Sequence, residues 1–260
     1  MSTRFAGRAA SASVALMALT VLLTGCSSPG SPTAEERQPA AESSAPPSPS
    51  PSQTGCPNPY GGSCLGPVDA GEYRTTTFTP RITYTVPEGW TNFEDLIGNF
   101  ALFRQEDADG QLTPRGGSFL GIFSNVHAPA IDCREAWQEG VGTTPAELVA
   151  WYQSLPGLIV AEPVEVTVGG LEGLQVDLEL EEGDDTCTFD GNDGIPLIMG
   201  DGVSSLHHVI LDEMDIRLVL LEWGDGGNIA LEITNTREQH NAEEFRSLVQ
   251  PIVDSLVFEQ

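Results

Sequence analysis

Residues 164–180 read VEVTVGGLEGLQVDLEL. Val164, Val166 and Val168 alternate with Glu165 and Thr167 up to Gly169-Gly170, and Leu174, Val176, Leu178 and Leu180 alternate with other residues beyond it. A period of two sends successive side chains to opposite faces of a pleated strand. A glycine pair between two such runs supplies the backbone freedom of a tight turn. The spacing predicts an antiparallel hairpin.

Working outward, Ile82, Tyr84 and Val86 alternate with Arg81, Thr83 and Thr85 before the turn Pro87-Glu88-Gly89. Phe100 to Arg104 and Phe119 to Phe123 read as two further strands, separated by the polar loop Gln105 to Gly117. Three strands are therefore expected before the first helix. Val209 to Leu211 reads as a short strand, and Arg217 to Trp223 and Ile229 to Ile233 flank Asp225-Gly226-Gly227 as a second hairpin.

Two helices are signalled. Thr144 can cap one, with Pro145 at its first position, Glu147 closing a capping box, and Leu148, Trp151, Tyr152 and Leu155 along one face until Pro156-Gly157 ends it. Asn241 and Glu244 open the other, with Phe245, Leu248, Val249, Ile252 and Leu256 on its buried side. Pro251 should kink that helix or mark its last turn. Hairpins dominate over strand-helix alternation, which predicts an α+β domain: an antiparallel β-sheet with two main helices packed on it.

The residues before this domain read as an address and a tether. Arg4 and Arg8 precede the apolar run Ala9 to Leu23, which is shorter than the roughly 20 residues of a membrane-spanning helix. It ends in Leu23-Thr24-Gly25-Cys26, which looks like a bacterial lipobox, with Cys26 as the lipidated residue. Residues 1–26 are thus expected to be a lipoprotein signal peptide with its lipobox. Residues 27–55, rich in Ser, Pro, Ala, Gln and Glu, are expected to be a disordered linker reaching roughly 90 Å at full stretch. Residues 56–260 form the single α+β domain. The expected location is the extracytoplasmic face of a cell membrane.

The formal charge is −27, from 38 acidic and 11 basic residues, and the leader holds two of the basic ones and no acid. Such a surface repels phosphate backbones, so nucleic acid is excluded as a partner. The chain has no lysine. Schiff-base chemistry and a P-loop nucleotide site are excluded with it.

Five cysteines leave one odd, and lipid on Cys26 leaves Cys56, Cys64, Cys133 and Cys187 for two disulfides in an oxidising compartment. Of three possible pairings, Cys56 with Cys64 and Cys133 with Cys187 is preferred, because the first pair closes a short loop rich in Pro and Gly. Sequence alone does not fix it. No Cys-x-x-Cys spacing supports zinc.

Glu179 to Asp193 is dense in carboxylates and reads as a solvated acidic loop. Asp184, Asp185, Asp190 and Asp193 are its calcium candidates, but Asp190-Gly191-Asn192-Asp193-Gly194 misses EF-hand spacing by one residue. Neither a metal nor a cofactor is expected. There is no Gly-x-Ser-x-Gly elbow, and His127, His207, His208 and His240 are expected in surface or capping roles. Trp90, Trp137, Trp151 and Trp223 are expected as core or half-buried packing residues, the sharper alternative being a sugar-stacking platform.

The run Thr79-Pro80-Arg81-Ile82-Thr83-Tyr84-Thr85-Val86-Pro87-Glu88-Gly89-Trp90, the turn Val168-Gly169-Gly170-Leu171 and the ending Ile252-Val253-Asp254-Ser255-Leu256 resemble uncharacterised actinobacterial cell-envelope lipoproteins over roughly residues 70–260. More distantly, the element order and a strand ending in Pro-x-Gly-Trp are similar to PsbP-like domains. That resemblance implies an accessory or binding module and carries over no catalytic residue. The expectation is a non-enzymatic, lipid-anchored binding module whose partner is an envelope protein or a small ligand. The alternatives are an envelope hydrolase and a calcium-binding or structural surface lipoprotein.

Overall fold

In the computed structural model, which describes residues 66–108, 117–181, 187–189, 192–200, 208–237 and 239–259, Gly169 and Gly170 take φ of 57° and 82°. Val168 pairs with Leu171 across them. A Cβ on Gly169 would lie 2.7 Å from the Phe258 ring, so this glycine is needed for space as well as for its backbone. The predicted hairpin is present, and its second strand begins at Leu171.

The chain runs through β1 (Gly66–Val68), β2 (Gly71–Arg74), β3 (Ile82–Val86), β4 (Trp90–Asp95) and β5 (Asn99–Arg104) to a single helical turn, α1 (Gln105–Ala108). β6 (Phe119–Ser124), α2 (Pro145–Ser154), β7 (Leu158–Val160), β8 (Val164–Val168) and β9 (Leu171–Leu180) follow. The remainder is β10 (Cys187–Phe189), β11 (Asn192–Pro196), β12 (Val209–Leu211), β13 (Met214–Trp223), β14 (Gly227–Thr236), α3 (Ala242–Asp254) and β15 (Val257–Phe258).

The main sheet has the order β1-β4-β5-β6-β14-β13-β9-β7, with β8 also paired to β9, and two three-stranded sheets, β10-β11-β12 and β15-β3-β2, lie beside it. The strand pairs are antiparallel. The fold is α+β, an antiparallel sheet with two main helices, as the hairpin pattern predicts.

The sheet is covered on both faces, and the alternation of its central strands sorts the two cores. On β13, Ile216, Leu218 and Leu220 join Leu148, Trp151 and Tyr152 of α2, together with Ile195 of β11 and Ile210 of β12. Val219 and Leu221 of the same strand join Phe245, Val249 and Ile252 of α3, with Ile82 and Tyr84 of β3. β13 is thus apolar at consecutive positions because both its faces are buried. Full burial of each Leu, Ile or Phe contributes about 1.5–3 kcal/mol before chain entropy is subtracted.

Both helix starts are capped as the sequence predicts. The Thr144 side chain accepts from Glu147 N while the Glu147 carboxylate accepts from Thr144 N, and Asn241 accepts from Glu243 N and Glu244 N. Pro251 lies in the last turn of α3.

The expectation of three strands before the first helix is corrected: six strands and the turn α1 precede α2. β1 and β2 carry Gly, Pro and charged residues and almost no alternation, so their extended state is set by pairing with β4 and β3. β4 is broken by a register shift between Asn92 and Glu94, which hides its period. The second hairpin turns one residue earlier than predicted, over Gly224 to Gly226, because Gly227 already pairs with Trp223.

Candidate functional site

Gln175 and Asp177 of β9 lie on the face opposite Val176 and Leu178, and the register places Gln175 beside Val219 and Asp177 beside Arg217. That face is roofed by α3. Where the roof meets the β8–β9 hairpin, a cleft of about 290 Å³ remains, lined by Val166 and Val168, by Gln175, Arg217 and Val219, and by Gln250, Val253 and Asp254 of α3.

Ion pairing fixes the polar wall. Arg217 Nε and Nη2 donate to the two oxygens of Asp177 at 2.7 and 2.9 Å, a bidentate geometry, and Arg246 Nη1 of α3 lies 3.5 Å from Asp177 Oδ2. Burial works to raise the Asp177 carboxyl, but the Arg217 hydrogen bonds and the charges of Arg217 and Arg246 hold it below the usual range. Arg217 is raised in turn, chiefly by its bond to Asp177. Gln250 Nε2 donates to Asp254 Oδ1 at 2.7 Å. The cleft therefore offers valine walls, two side-chain amides, the Asp254 carboxylate and a guanidinium whose charge is largely met. Such a lining suits a small molecule with an apolar body and neutral hydrogen-bonding groups.

A different polar group lies on the α2 face. Glu232 of β14 is 1% exposed, and its carboxylate meets His208 Nδ1 at 3.0 Å and accepts from Thr234 Oγ1 at 2.8 Å. The imidazole and the Phe123 ring pack in a T-shaped arrangement with their centroids 4.3 Å apart. Tyr152 OH donates to Leu197 O at 2.7 Å, and burial followed by the charge of Glu232 pushes its phenol well up. The surface or capping role expected for the histidines is thus corrected at His208. This histidine and carboxylate are packed in the core, on the opposite face from the cleft.

His127 packs its ring against Trp137 at 4.5 Å, and His240 stacks on Phe245 at 5.4 Å, while His207 lies outside the described residues. The packing role expected for the tryptophans holds for Trp90 and Trp151, which are buried, and for half-buried Trp223. It fails for Trp137, which is 57% exposed.

Cys133 and Cys187 form a disulfide with Cα atoms 5.6 Å apart. Cys26, Cys56 and Cys64 lie outside the described residues, as do Asp184, Asp185 and Asp190. Asp193, in β11, is exposed, and its Oδ1 accepts from Thr188 Oγ1 at 3.0 Å. Among the described residues no group of three or more His, Cys, Asp or Glu side chains is placed to hold a metal ion. No helix among them is long and apolar enough to cross a membrane.

The cleft residues gave little sign of themselves in the sequence. Gln175 and Asp177 stand at the polar positions of an alternating strand, the usual mark of a solvent face. Only knowledge that α3 covers that face turns them into a site.

No family model matches the chain, and no curated protein does. Among solved structures it is similar to a crystal structure from Bacteroides thetaiotaomicron VPI-5482, with 10% identity and a TM-score of 0.37 over 74% of this chain. The chain spans 50% of the length of that protein. It is also similar to the solution structure of PsbP (CyanoP) from Synechocystis sp. PCC 6803, with 11% identity and a TM-score of 0.38, covering 76% of this chain and 98% of that one. The likeness to PsbP is distant.

Proposed function

We propose that this chain is a lipoprotein anchored through lipid on Cys26 at the extracytoplasmic face of a cell membrane. Its α+β domain is a non-enzymatic binding or accessory module on the tether of residues 27–55. It takes a small, partly apolar ligand in the cleft under α3. The observation that carries this reading is the cleft itself, where Arg217 is held in a bidentate pair beside Gln175 and Gln250 against valine walls. The net charge of −27 on the chain disfavours anionic molecules, so the ligand is neutral or cationic.

The full chain, purified in mild detergent from the membrane in which it is made, would be examined by native mass spectrometry beside a Val166→Trp variant. The indole added at Val166 fills the cleft. The expected result is a non-covalently bound small molecule on the wild type that is absent from the variant. A wild type with no bound species, or the same species on both, would overturn the reading. Incorporation of labelled palmitate that persists in Cys26→Ser would remove the anchor from it.

A further inference from the structure

Trp137 belongs to a loop on the α2 side of the sheet, remote from the cleft, and its exposure is built rather than incidental. Trp137 bridges Pro129, Ala130 N donates to Ala136 O at 2.8 Å, and Gln138 N donates to Ala128 O at 2.7 Å. The His127 ring supports the indole at 4.5 Å with the two planes tilted by 41°. His127 is itself fixed through its backbone N–H, which donates to Met199 O at 2.6 Å. The disulfide from Cys133 to Cys187 ties the tip of the loop to β10. The indole is thus held in place, with 57% of its residue surface open to solvent. A ligand that stacks on it loses little entropy in the protein.

We propose that Trp137 is a stacking platform for the ring face of a neutral or amino sugar. The face of an indole is electron-rich and attracts the polarised C–H groups of a pyranose. The hydroxyls at the sugar's rim need hydrogen-bonding groups beside the platform, and exposed Glu135 and Glu139 together with half-buried Gln138 stand next to Trp137 in the loop.

The same neighbours argue against other occupants. The cores of protein interfaces are depleted in Asp and Glu, and in this loop exposed Glu135 and Glu139 flank the aromatic residue in sequence. An anionic membrane surface repels an acid-rich loop on a chain of charge −27. The charge also excludes uronic and phosphorylated sugars. This site stands apart from the proposed cleft, and either could fail without the other.

The four indole N–H signals of the full chain in mild detergent would be followed by NMR while chitotetraose, maltotetraose or tetragalacturonate is added, with the Trp137 signal assigned by its loss in Trp137→Phe. Since Trp137 is a surface residue, Trp137→Ala should melt within a few degrees of the wild type, which keeps the comparison sound. Chitotetraose or maltotetraose should shift the Trp137 signal saturably, with a midpoint on the order of a millimolar. Tetragalacturonate should leave it unmoved, and in calorimetric titration, which needs no indole signal, Trp137→Ala should weaken binding at least about tenfold while Trp137→Phe retains part of it. The proposal is overturned if no neutral or amino sugar shifts the signal by about 20 mM, or if Trp137→Ala binds as well as the wild type. It is overturned equally if the signal responds to vesicles of phosphatidylglycerol and not to any sugar.

Discussion

His208 and Glu232 meet inside the domain, with the imidazole Nδ1 3.0 Å from a carboxylate oxygen and the two side chains only 10% and 2% exposed. The contact joins the residue ahead of β12 to the middle of β14, and Leu197 N donates to His208 O at 2.8 Å close by. Tyr152 of α2 donates to the carbonyl of that same Leu197, so helix, small sheet and main sheet are linked through neighbouring polar groups. Removing one partner strands the other. His208→Ala leaves the Glu232 carboxylate with only the Thr234 hydroxyl, and the expected loss of stability is about 3–5 kcal/mol. Urea unfolding measures it. Replacing the pair together, His208→Phe with Glu232→Leu, should recover most of the loss, since no buried charge is then left unmatched.

Asp95 sets the acid limit of the α3 side. Its carboxylate has no exposed surface and accepts from the backbone N–H groups of Thr76, Thr77 and Phe78 and from the Thr76 hydroxyl, at 2.7–3.1 Å. Burial alone would raise this carboxyl, but the four donors outweigh it and hold it below the ordinary value. Because the folded value is depressed, the stabilisation is complete above the unfolded value of about 3.9 and is lost as pH falls through the folded value. Asp95→Asn should cost about 1–3 kcal/mol near neutral pH. Thermal melts from pH 7 down to about 2.5 should show wild type and variant converging. A constant gap across that range would show that Asp95 is not the titrating group.

How far the sequence carries depends on whether a segment's state is set locally. The 164–180 hairpin and the Thr144 and Asn241 caps are local: glycines at the turn, and side chains that satisfy their own helix ends. β1, β2 and β4 are not, for their residues become strand only by meeting partners across the sheet. The same distinction governs the site. Asp177 and Arg217 are 40 residues apart, and nothing short of the β9–β13 register says they touch. His208 and Glu232 are likewise joined by tertiary packing, which is why a histidine ahead of β12 and a glutamate within β14 gave no warning. The exposure of Trp137 was unreadable for a related reason. A large aromatic side chain is ordinarily turned inward, and in the loop between β6 and α2 a disulfide and two backbone hydrogen bonds hold this one out.

The Cys133–Cys187 bond closes 54 residues of sequence separation, running from the Trp137 loop through α2 and the 164–180 hairpin to β10. Loop-closure entropy for that span predicts about 4 kcal/mol of stabilisation through the unfolded state. The double variant Cys133→Ser, Cys187→Ser should lower the denaturant midpoint accordingly. Non-reducing peptide maps of the wild type should join these two cysteines. A peptide joining Cys133 to Cys56 or Cys64 instead would contradict the pairing.

Arg217 and Asp177 make a pair with better geometry than His208 and Glu232 but a wetter setting, with side chains 24% and 31% exposed. Water screens an ion pair of that exposure, so Asp177→Asn is expected to lose only about 1 kcal/mol, well below the loss for His208→Ala. Two further consequences follow from the geometry. Asp177 also lies 3.5 Å from Arg246 of α3, so removing its charge leaves two guanidinium groups facing each other across the cleft wall. That repulsion is reached by solvent, and about 1 M salt should erase much of the variant's deficit, whereas the loss for His208→Ala should persist. The carboxyl of Asp177 is held below its usual range, so its contribution is present above about pH 4 and disappears as pH falls through the depressed value. Urea titrations of Asp177→Asn at low and high salt, and at pH 7 and about pH 2.5, test both consequences. A deficit indifferent to salt and to acid would mean that the amide disturbs packing under α3 rather than the charge balance of the cleft.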